Sequence, residues 1–165
     1  MIGSATVRPA VQADVSCFEH WLSADAENSW QTKDFVRAIE TDNDSLLVVC
    51  ANSTRLFGVV SQRNPASVAG FILTQRVLDE VTILYLSIDP RYRRQGLARQ
   101  LVQALQVAVG RQTIMLEVRQ SNEPARALYQ QCGFMQVGER VNYYRSAKSS
   151  SGREAALLLN WQVGE

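Results

Sequence analysis

The sequence predicts a mixed α/β fold, with one central twisted mixed β-sheet flanked by helices. Its 165 residues are 46% apolar, which is enough to build one hydrophobic core. The spacing of apolar residues alternates along the chain between the period typical of strands and the period typical of helices. The second half contains two strand–helix–strand passages, and no repeat or linker divides the chain. We therefore expect residues 1–165 to form a single domain.

The first half is expected to contain a short strand, two helices and further strands. The strand is expected at Ala5–Arg8, the first helix opens near Asp14, and the second helix follows Trp30. The inward residues are expected to be Val15, Phe18 and Leu22 in the first helix, and Phe35, Val36 and Ile39 in the second. Further strands are expected at Ser45–Ala51, Arg55–Val60 and Ser67–Gln75, with a turn at Asn64 and Pro65.

The second half alternates strands and helices. The expected elements, in order, are strand Val81–Ile88, helix Leu97–Val109, strand Thr113–Val118, helix Pro124–Gln131, and strands Phe134–Tyr144 and Glu154–Trp161. Asp89 and Pro90 stop the first of these strands, and Gly110 stops the first helix. The buried stripe of that helix is expected to comprise Leu97, Leu101, Leu105 and Ala108. A hairpin loop at Ser149–Gly152 is expected between the last two strands.

Composition excludes several classes of function. The net charge of +1 gives no sign of binding to nucleic acid or to a membrane surface. Cys17, Cys50 and Cys132 are odd in number and widely spaced, so neither a disulfide framework nor a metal site is expected. We find no secretion signal and no long apolar run, and we therefore expect a cytoplasmic protein.

The turn before the long helix is a candidate phosphate site. Gly96 stands where the helix begins, and the free N–H groups of a helix N-terminus bind phosphate well. Glycine also lets a phosphate oxygen approach the main chain closely. Positive charge nearby comes from Arg93, Arg94 and Arg99. Taken alone, a basic turn before a helix is more often an ordinary solvated surface.

A carboxylate interrupts an apolar strand at Glu117. Such a group must be paired, hydrated in a cleft, or neutral. It is either the partner of an arginine such as Arg119, an edge position that faces water, or a general base placed in a cleft.

The segment from Asn122 to Phe134 offers further candidates. Asn122 is either a helix cap or a loop residue, and Tyr129 is either core filling or a proton donor. Cys132 is better explained by core packing than as a nucleophile. His20, the single histidine, is expected on a polar helix face.

Together these motifs resemble the Gcn5-related N-acetyltransferase (GNAT) superfamily. The resemblance lies in Arg93-x-x-Gly96-x-Ala98, Asn122-x-x-Ala125-x-x-Leu128-Tyr129 and Gly133-Phe134, in that order and spacing. More narrowly, the resemblance is to the RimI branch, whose members acetylate the N-terminal alanine of a small-subunit ribosomal protein. It is carried by Leu78-Asp79-Glu80, Ile88-Asp89-Pro90, Arg94-Gln95-Gly96-Leu97, Leu116-Glu117-Val118-Arg119, Ser121-Asn122 and Asn142-Tyr143-Tyr144.

This resemblance implies the GNAT fold, with acetyl-CoA in a V-shaped gap between two parallel strands. Main-chain groups of Leu86, Ser87 and Ile88 would pair with the pantetheine arm, and Asn122 would hydrogen-bond the pantetheine or acetyl region. The residues implied to hold the pyrophosphate or to lie beside it are Arg93, Arg94, Gln95, Gly96, Leu97, Ala98 and Arg99. No metal is implied.

The resemblance also implies direct transfer without a covalent enzyme intermediate, with Glu117 as general base and Tyr129 as general acid. The implied partner is a peptide or protein N-terminus, in particular that of a basic ribosomal protein. The residues expected to meet the substrate are Trp30, Asp79, Glu80, Tyr143 and Tyr144, with Glu27 as a further acidic candidate. Two alternatives stay open: a GNAT enzyme acting on a small amine, and a non-catalytic acyl-CoA-binding module.

The chain departs from the family pattern at several positions. Ser29 stands where proline commonly precedes the tryptophan, and Arg145 stands where proline often follows the tyrosine pair. Ala98 replaces a usual glycine, and the stretch 52–69 is longer than usual. Ser29 and the stretch 52–69 lie where a peptide would bind, so they weaken the substrate assignment and leave the acetyl-CoA assignment intact.

Overall fold

A computed structural model describes residues 5–22, 30–41, 43–51, 67–146 and 152–163. Seven strands and four helices follow one another in these segments. In chain order they are β1 (Ala5–Pro9), α1 (Gln12–Leu22), α2 (Thr32–Glu40), β2 (Asp44–Ala51), β3 (Ser67–Val77), β4 (Glu80–Ile88), α3 (Leu97–Val109), β5 (Thr113–Arg119), α4 (Glu123–Gln131), β6 (Met135–Arg145) and β7 (Arg153–Trp161). A 3₁₀ turn at Pro90–Tyr92 links β4 to α3. The expected strand at Arg55–Val60, the turn at Asn64 and Pro65, the loop residues 149–151 and Glu27 lie outside the described residues.

All seven strands form one sheet, in the order β1-β2-β3-β4-β5-β7-β6. Strands β4 and β5 run parallel, and every other neighbouring pair is antiparallel. The mixed α/β prediction is therefore confirmed. The two parallel strands are joined through α3, a crossover connection of the kind that parallel pairing requires.

Each face of the sheet is covered by a different kind of core. Helices α3 and α4 pack on an aliphatic cluster, which includes Leu101, Leu105 and Ile114. Helices α1 and α2 pack on an aromatic cluster on the other face, where Phe18 and Phe71 are fully buried. We call these the aliphatic face and the aromatic face.

Most elements lie within two residues of their predicted bounds, and the bounds of α3 agree residue for residue. One prediction about α3 was wrong, because Ala108 is exposed. The buried stripe turns instead towards Val102 and Val109. In α2, Phe35 and Ala38 are buried while Val36 and Ile39 are half-buried. In the described part of the chain, no helix is long and apolar enough to cross a membrane.

Candidate active site

A gap opens in the middle of the sheet because β4 and β5 pair over only part of their length. Their register runs from Glu80 opposite Thr113 to Ile83 opposite Leu116 and ends there. On the other side of β4 the register with β3 skips Leu84, which is an extra residue, or β-bulge. A bulge bends its strand and increases the local twist. Beyond Leu84, therefore, β4 stays with β3 and diverges from β5.

The bulge also determines which groups of β4 face the gap. Leu84 and Tyr85 both pack towards the aromatic face, and Leu86 returns to the aliphatic face. Asp89 donates its N–H to Ala69 on β3. The N–H and C=O groups of successive residues in a strand point to opposite sides. The main-chain groups of Leu86 and Ile88 therefore point towards β5, and the main-chain groups of Ser87 point towards β3.

The gap contains a cavity of about 330 Å³. Side chains from both faces of the sheet line it. Its lining residues are Trp30, Ile83, Leu84, Tyr85, Leu86, Leu116, Glu117, Val118, Arg119, Asn122, Ala125, Leu128, Tyr129 and Tyr144.

The N-terminus of α3 follows β4 after the 3₁₀ turn, and its main-chain conformation suits an anion. Arg94 and Gly96 both adopt positive φ, at 63° and 78°, so the chain curls before the helix begins. The first bond of the helix runs from the N–H of Gln100 to the carbonyl of Gly96. The N–H groups of residues 97–99 therefore have no partner within the helix. Curled segments and helix N-termini of this kind bind phosphate.

Arg93 contributes to this turn by holding the end of β4. Its Nε donates to the carbonyl of Ile88 at 3.1 Å. Asp89, which is buried, accepts from the N–H of Arg91 and forms an ion pair with the Arg91 guanidinium at 2.6 Å. These side-chain contacts thus fix the main-chain conformation of the turn between β4 and α3.

Asn122 caps α4 and also lines the cavity. Its Oδ1 accepts from the N–H of Ala125 at 3.2 Å. The cap interpretation is therefore correct, and it is compatible with ligand binding because the cap uses the side-chain oxygen and leaves the amide NH₂ as a donor.

Glu117 and Tyr129 line the same cavity from opposite faces of the sheet. Ile114, Leu116 and Val118 point into the aliphatic core, so Glu117 points to the aromatic face. Tyr129 belongs to α4 on the aliphatic face and packs edge-on against Phe134.

The two groups differ in charge and environment. Glu117 Oε1 forms an ion pair with Nε of Arg140 at 3.0 Å, and the Glu117 side chain is 28% exposed. The arginine partner suggested by sequence, Arg119, pairs instead with Glu154. Burial raises the pKa of the Tyr129 phenol well above its usual range, with the nearby Cys132 thiol adding to the shift. Tyr129 is therefore protonated at neutral pH.

Of the two tyrosines near the end of β6, Tyr143 and Tyr144, one lines the cavity. Tyr144 lines the cavity, and the Arg119 guanidinium lies 4.3 Å from the centre of its ring. Tyr143 contacts Tyr144 edge-on, with ring centres 5.0 Å apart, and is itself exposed. Trp30, on the aromatic face, stacks on Tyr85 with an angle of 11° between the rings.

The remaining predicted residues fall elsewhere. Asp79 and Glu80 lie at the start of β4, at the opposite end of that strand from the gap, and both are exposed. Burial raises the pKa of the Cys132 thiol, which disfavours the reactive thiolate. Among the described residues, no cluster of His, Cys, Asp and Glu could hold a metal ion.

Sequence reasoning missed two residues of the site. In the sequence, Tyr85 is one of several apolar residues of a strand, and only the bulge turns it towards Trp30. Arg140 lies 23 positions after Glu117 in a strand that carries two irregularities of register. No local pattern marks it as the partner of Glu117.

Comparison with known proteins gives three close similarities. The ribosomal protein bS18-alanine N-acetyltransferase of Haemophilus ducreyi is 35% identical over 136 residues, which cover 77% of this chain and 92% of that protein. Its Escherichia coli counterpart is 44% identical over 94 residues, 55% of this chain and 62% of the relative, so that match spans less than two thirds of the relative's length. The crystal structure of the Escherichia coli ribosomal-protein-S18-alanine N-acetyltransferase superposes with a TM-score of 0.75 and 28% identity, covering 98% of this chain and 96% of that one.

One family matches the part of the chain that forms the gap, the turn before α3 and the capped helix α4. Residues 15–134 match the acetyltransferase (GNAT) family, and the matched segment contains β4, α3, β5 and α4 with all the cavity residues except Tyr144. The chain therefore belongs to the GNAT family of acetyltransferases.

Proposed function

We propose that this chain is an acetyl-CoA-dependent N-acetyltransferase that acts on the N-terminal α-amino group of a protein. The observation that carries the proposal is the divergence of β4 from β5, because Glu117 and Tyr129 both line the cavity between these strands. The specific target we propose is the N-terminal alanine of a small-subunit ribosomal protein, as in the named relatives. Such a target would be met in the cytoplasm.

Acetyl-CoA binds in the gap through main-chain groups. The pantetheine arm lies along β4 as an additional strand would, and pairs with the main chain of Leu86. The pyrophosphate takes the N–H groups of residues 97–99 at the start of α3. The side-chain amide of Asn122 donates to a carbonyl of the pantetheine arm from the far side of the gap.

The substrate amine enters from the aromatic face, where Trp30, Tyr85 and Tyr144 surround the opening. Glu117 accepts a proton from the α-ammonium, through one water molecule, so that the nitrogen lone pair becomes available. The nitrogen then attacks the thioester carbonyl carbon, and the C=O π electrons move onto the oxygen. A main-chain N–H of β4 that faces the gap stabilises this oxyanion.

Collapse of the tetrahedral intermediate breaks the C–S bond and expels the CoA thiolate. Tyr129, which approaches from the aliphatic face, donates its phenolic proton to the sulfur. The phenol carries this proton at neutral pH, so the proton is available when the thiolate forms beside it. The proton that remains on the attacking nitrogen leaves to solvent as the amide forms, and Tyr129 and Glu117 regain their starting protonation by exchange with solvent. The products are the N-acetylated chain and free CoA, and no enzyme nucleophile takes part.

The electrostatics of the opening bear on substrate choice. The described charges nearest the cavity are Glu117, paired with Arg140, and Arg119, paired with Glu154. Asp79 and Glu80 lie too far along β4 to contact an amine held at Glu117. Recognition of a basic target therefore depends on contacts beyond the first residue of the peptide.

The test is a mass-spectrometric assay with acetyl-CoA and three acceptors. These are a basic peptide with a free N-terminal alanine, the same peptide with a blocked N-terminus and an internal lysine, and a polyamine. We expect one acetyl group on the first peptide and none on the other acceptors. Faster acetylation of the polyamine would instead identify a small-amine enzyme. Acetyl-CoA binding without any transfer would identify a binding module, and absence of binding at millimolar acetyl-CoA would overturn the assignment.

A further inference from the structure

The carboxylate proposed as the base is held by an arginine from a distant strand. Arg140 Nε lies 3.0 Å from Oε1 of Glu117. The same guanidinium lies 5.4 Å from the centre of the Tyr143 ring. A guanidinium suits both contacts, because it can hydrogen-bond in its plane and stack on an aromatic ring through its face.

The sheet register explains how Arg140 reaches Glu117. Arg140 on β6 is opposite Ala156 on β7, and Ala156 is opposite Arg119 on β5. Glu117 lies two residues before Arg119, on the same face of β5. Ala156 is small and fully buried, so the long Arg140 side chain can pass over it diagonally to the carboxylate.

An irregularity in β6 supports this arrangement. Between Arg140 and Tyr144, β6 advances four residues while β7 advances two, from Ala156 to Glu154. The extra residues bulge out, and Asn142 adopts a positive φ of 56° within them. Asparagine tolerates that conformation better than most residues do. The Arg153 guanidinium holds the bulge by donating to the carbonyl of Asn142 at 3.1 Å. The bulge brings Tyr143 beside Arg140 and Tyr144 into the cavity wall.

We propose that Arg140 is a positioning residue for acetyl transfer, acting through Glu117. This inference rests on the proposed function, in which Glu117 is the base. A carboxylate has two oxygens, so an ion pair through Oε1 leaves Oε2 able to take the proton from the substrate. Arg140 fixes the rotation of the carboxylate, and Tyr143 limits the movement of Arg140.

The alternative is that Arg140 only stabilises the end of the sheet or contacts the peptide by itself. A double-mutant cycle separates these roles, because residues that act as one unit show non-additive effects. The four proteins are the wild type, Arg140→Gln, Glu117→Gln and the double variant. Arg111→Gln, which removes one positive charge from an exposed residue of the turn after α3, is the matched control.

We expect Arg140→Gln to lower kcat/KM for the alanine peptide by about 10- to 100-fold, the scale of a misplaced catalytic group. In the Glu117→Gln background the same change should cost less than about 2-fold, because there is no longer a base to position. The KM for acetyl-CoA and the thermal unfolding midpoint should stay at their wild-type values. Arg140→Lys keeps the charge without the planar guanidinium and should fall between wild type and Arg140→Gln. Arg111→Gln should behave as wild type.

Equal losses from Arg140→Gln in both backgrounds would overturn the inference and leave the proposed function standing. A wild-type rate for Arg140→Gln would overturn it in the same way. Wild-type activity of Glu117→Gln would instead remove the proposed base, and the positioning role with it. If Arg140→Gln is too unstable to assay, the cycle is run with Arg140→Lys, and additivity there overturns the inference.

Discussion

The two faces of the sheet contribute to the site in different ways. On the aliphatic face, the groups proposed to hold acetyl-CoA come from junctions between consecutive elements: the end of β4, the curled turn before α3 and the cap of α4. On the aromatic face, the groups around the amine come from residues far apart in sequence, including Trp30, Tyr85, Glu117 and Tyr144. The cofactor side therefore depends on local backbone geometry, and the substrate side on long-range packing.

This difference suggests how the two sides tolerate change. Main-chain recognition depends on conformation more than on side-chain identity, so the turn can carry Ala98 in place of glycine and still present its N–H groups. The aromatic face depends on particular rings and charges being brought together by the fold. Substitutions there should alter the choice of amine without altering acetyl-CoA binding. The predictions below test this division, beginning with the largest expected effect.

Tyr129→Phe should produce the largest loss. It removes only the hydroxyl, so the edge-on packing against Phe134 and the fold should survive. Turnover should fall by roughly 10²–10⁴, the range for loss of a general acid–base group. Steady-state kinetics should show the loss in kcat, with acetyl-CoA affinity unchanged by titration. Normal turnover would show that Tyr129 is not the general acid and only packs in the aliphatic core.

Glu117→Gln should cost up to about 10²-fold near neutral pH, the low end for general acid–base catalysis. The defect should shrink as pH rises, because more substrate amine is then already neutral. An α-amino group has a reference pKa of about 7.7–8.0, so rates measured on both sides of that range should reveal the recovery. The Tyr129→Phe defect should not recover in this way, which makes that variant the control. A defect that stays constant well above that range would show that Glu117 orients the substrate and is not its base.

Much of the cofactor side could be predicted from sequence because its signals are local. Gly96 after a strand and before an apolar helix, and Asn122 three residues before Ala125, each mark one junction within a few residues. The helix bounds of α3 were predictable for the same reason, since Gly96 and Gly110 flank an uninterrupted apolar stripe. The exposure of Ala108 was not, because the exact rotation of a helix depends on what it packs against.

The substrate side could be predicted only in part. Trp30, Tyr143 and Tyr144 were recognised through family resemblance, yet only Trp30 and Tyr144 line the cavity. The ion pair between Glu117 and Arg140 depends on register across three strands and on an irregular stretch of β6. The bulge at Leu84, which opens the gap, has no glycine or proline to mark it. These features arise from tertiary pairing, which local periodicity does not encode.

Gly96→Ala should affect the cofactor side alone. A Cβ at this position meets no atom of the described protein within 4 Å, so its cost comes from the positive φ and from approach to the phosphate. Holding alanine in the left-handed region costs about 1–2 kcal/mol. Expressed as an equilibrium constant, that penalty is a factor of roughly 5 to 30. We expect the KM for acetyl-CoA to rise by about that factor. The KM for the peptide should not change. A rise in both constants would mean that the turn also shapes the substrate side.

Trp30→Ala is the counterpart on the aromatic face and should have the smallest effect. Trp30 stacks on Tyr85 with ring centres 6.5 Å apart and lies at the cavity opening. An aromatic pair contributes about 0.5–1.5 kcal/mol beyond the area that it buries, which corresponds to roughly a 2- to 12-fold change. The KM for the peptide should rise by about that factor, while the KM for acetyl-CoA stays constant. Trp30→Phe keeps a ring against Tyr85 and should recover most of the loss. If Trp30→Ala weakens acetyl-CoA binding as much as peptide binding, the two faces are not separate recognition surfaces, because a change on the aromatic face would then reach the cofactor through the gap.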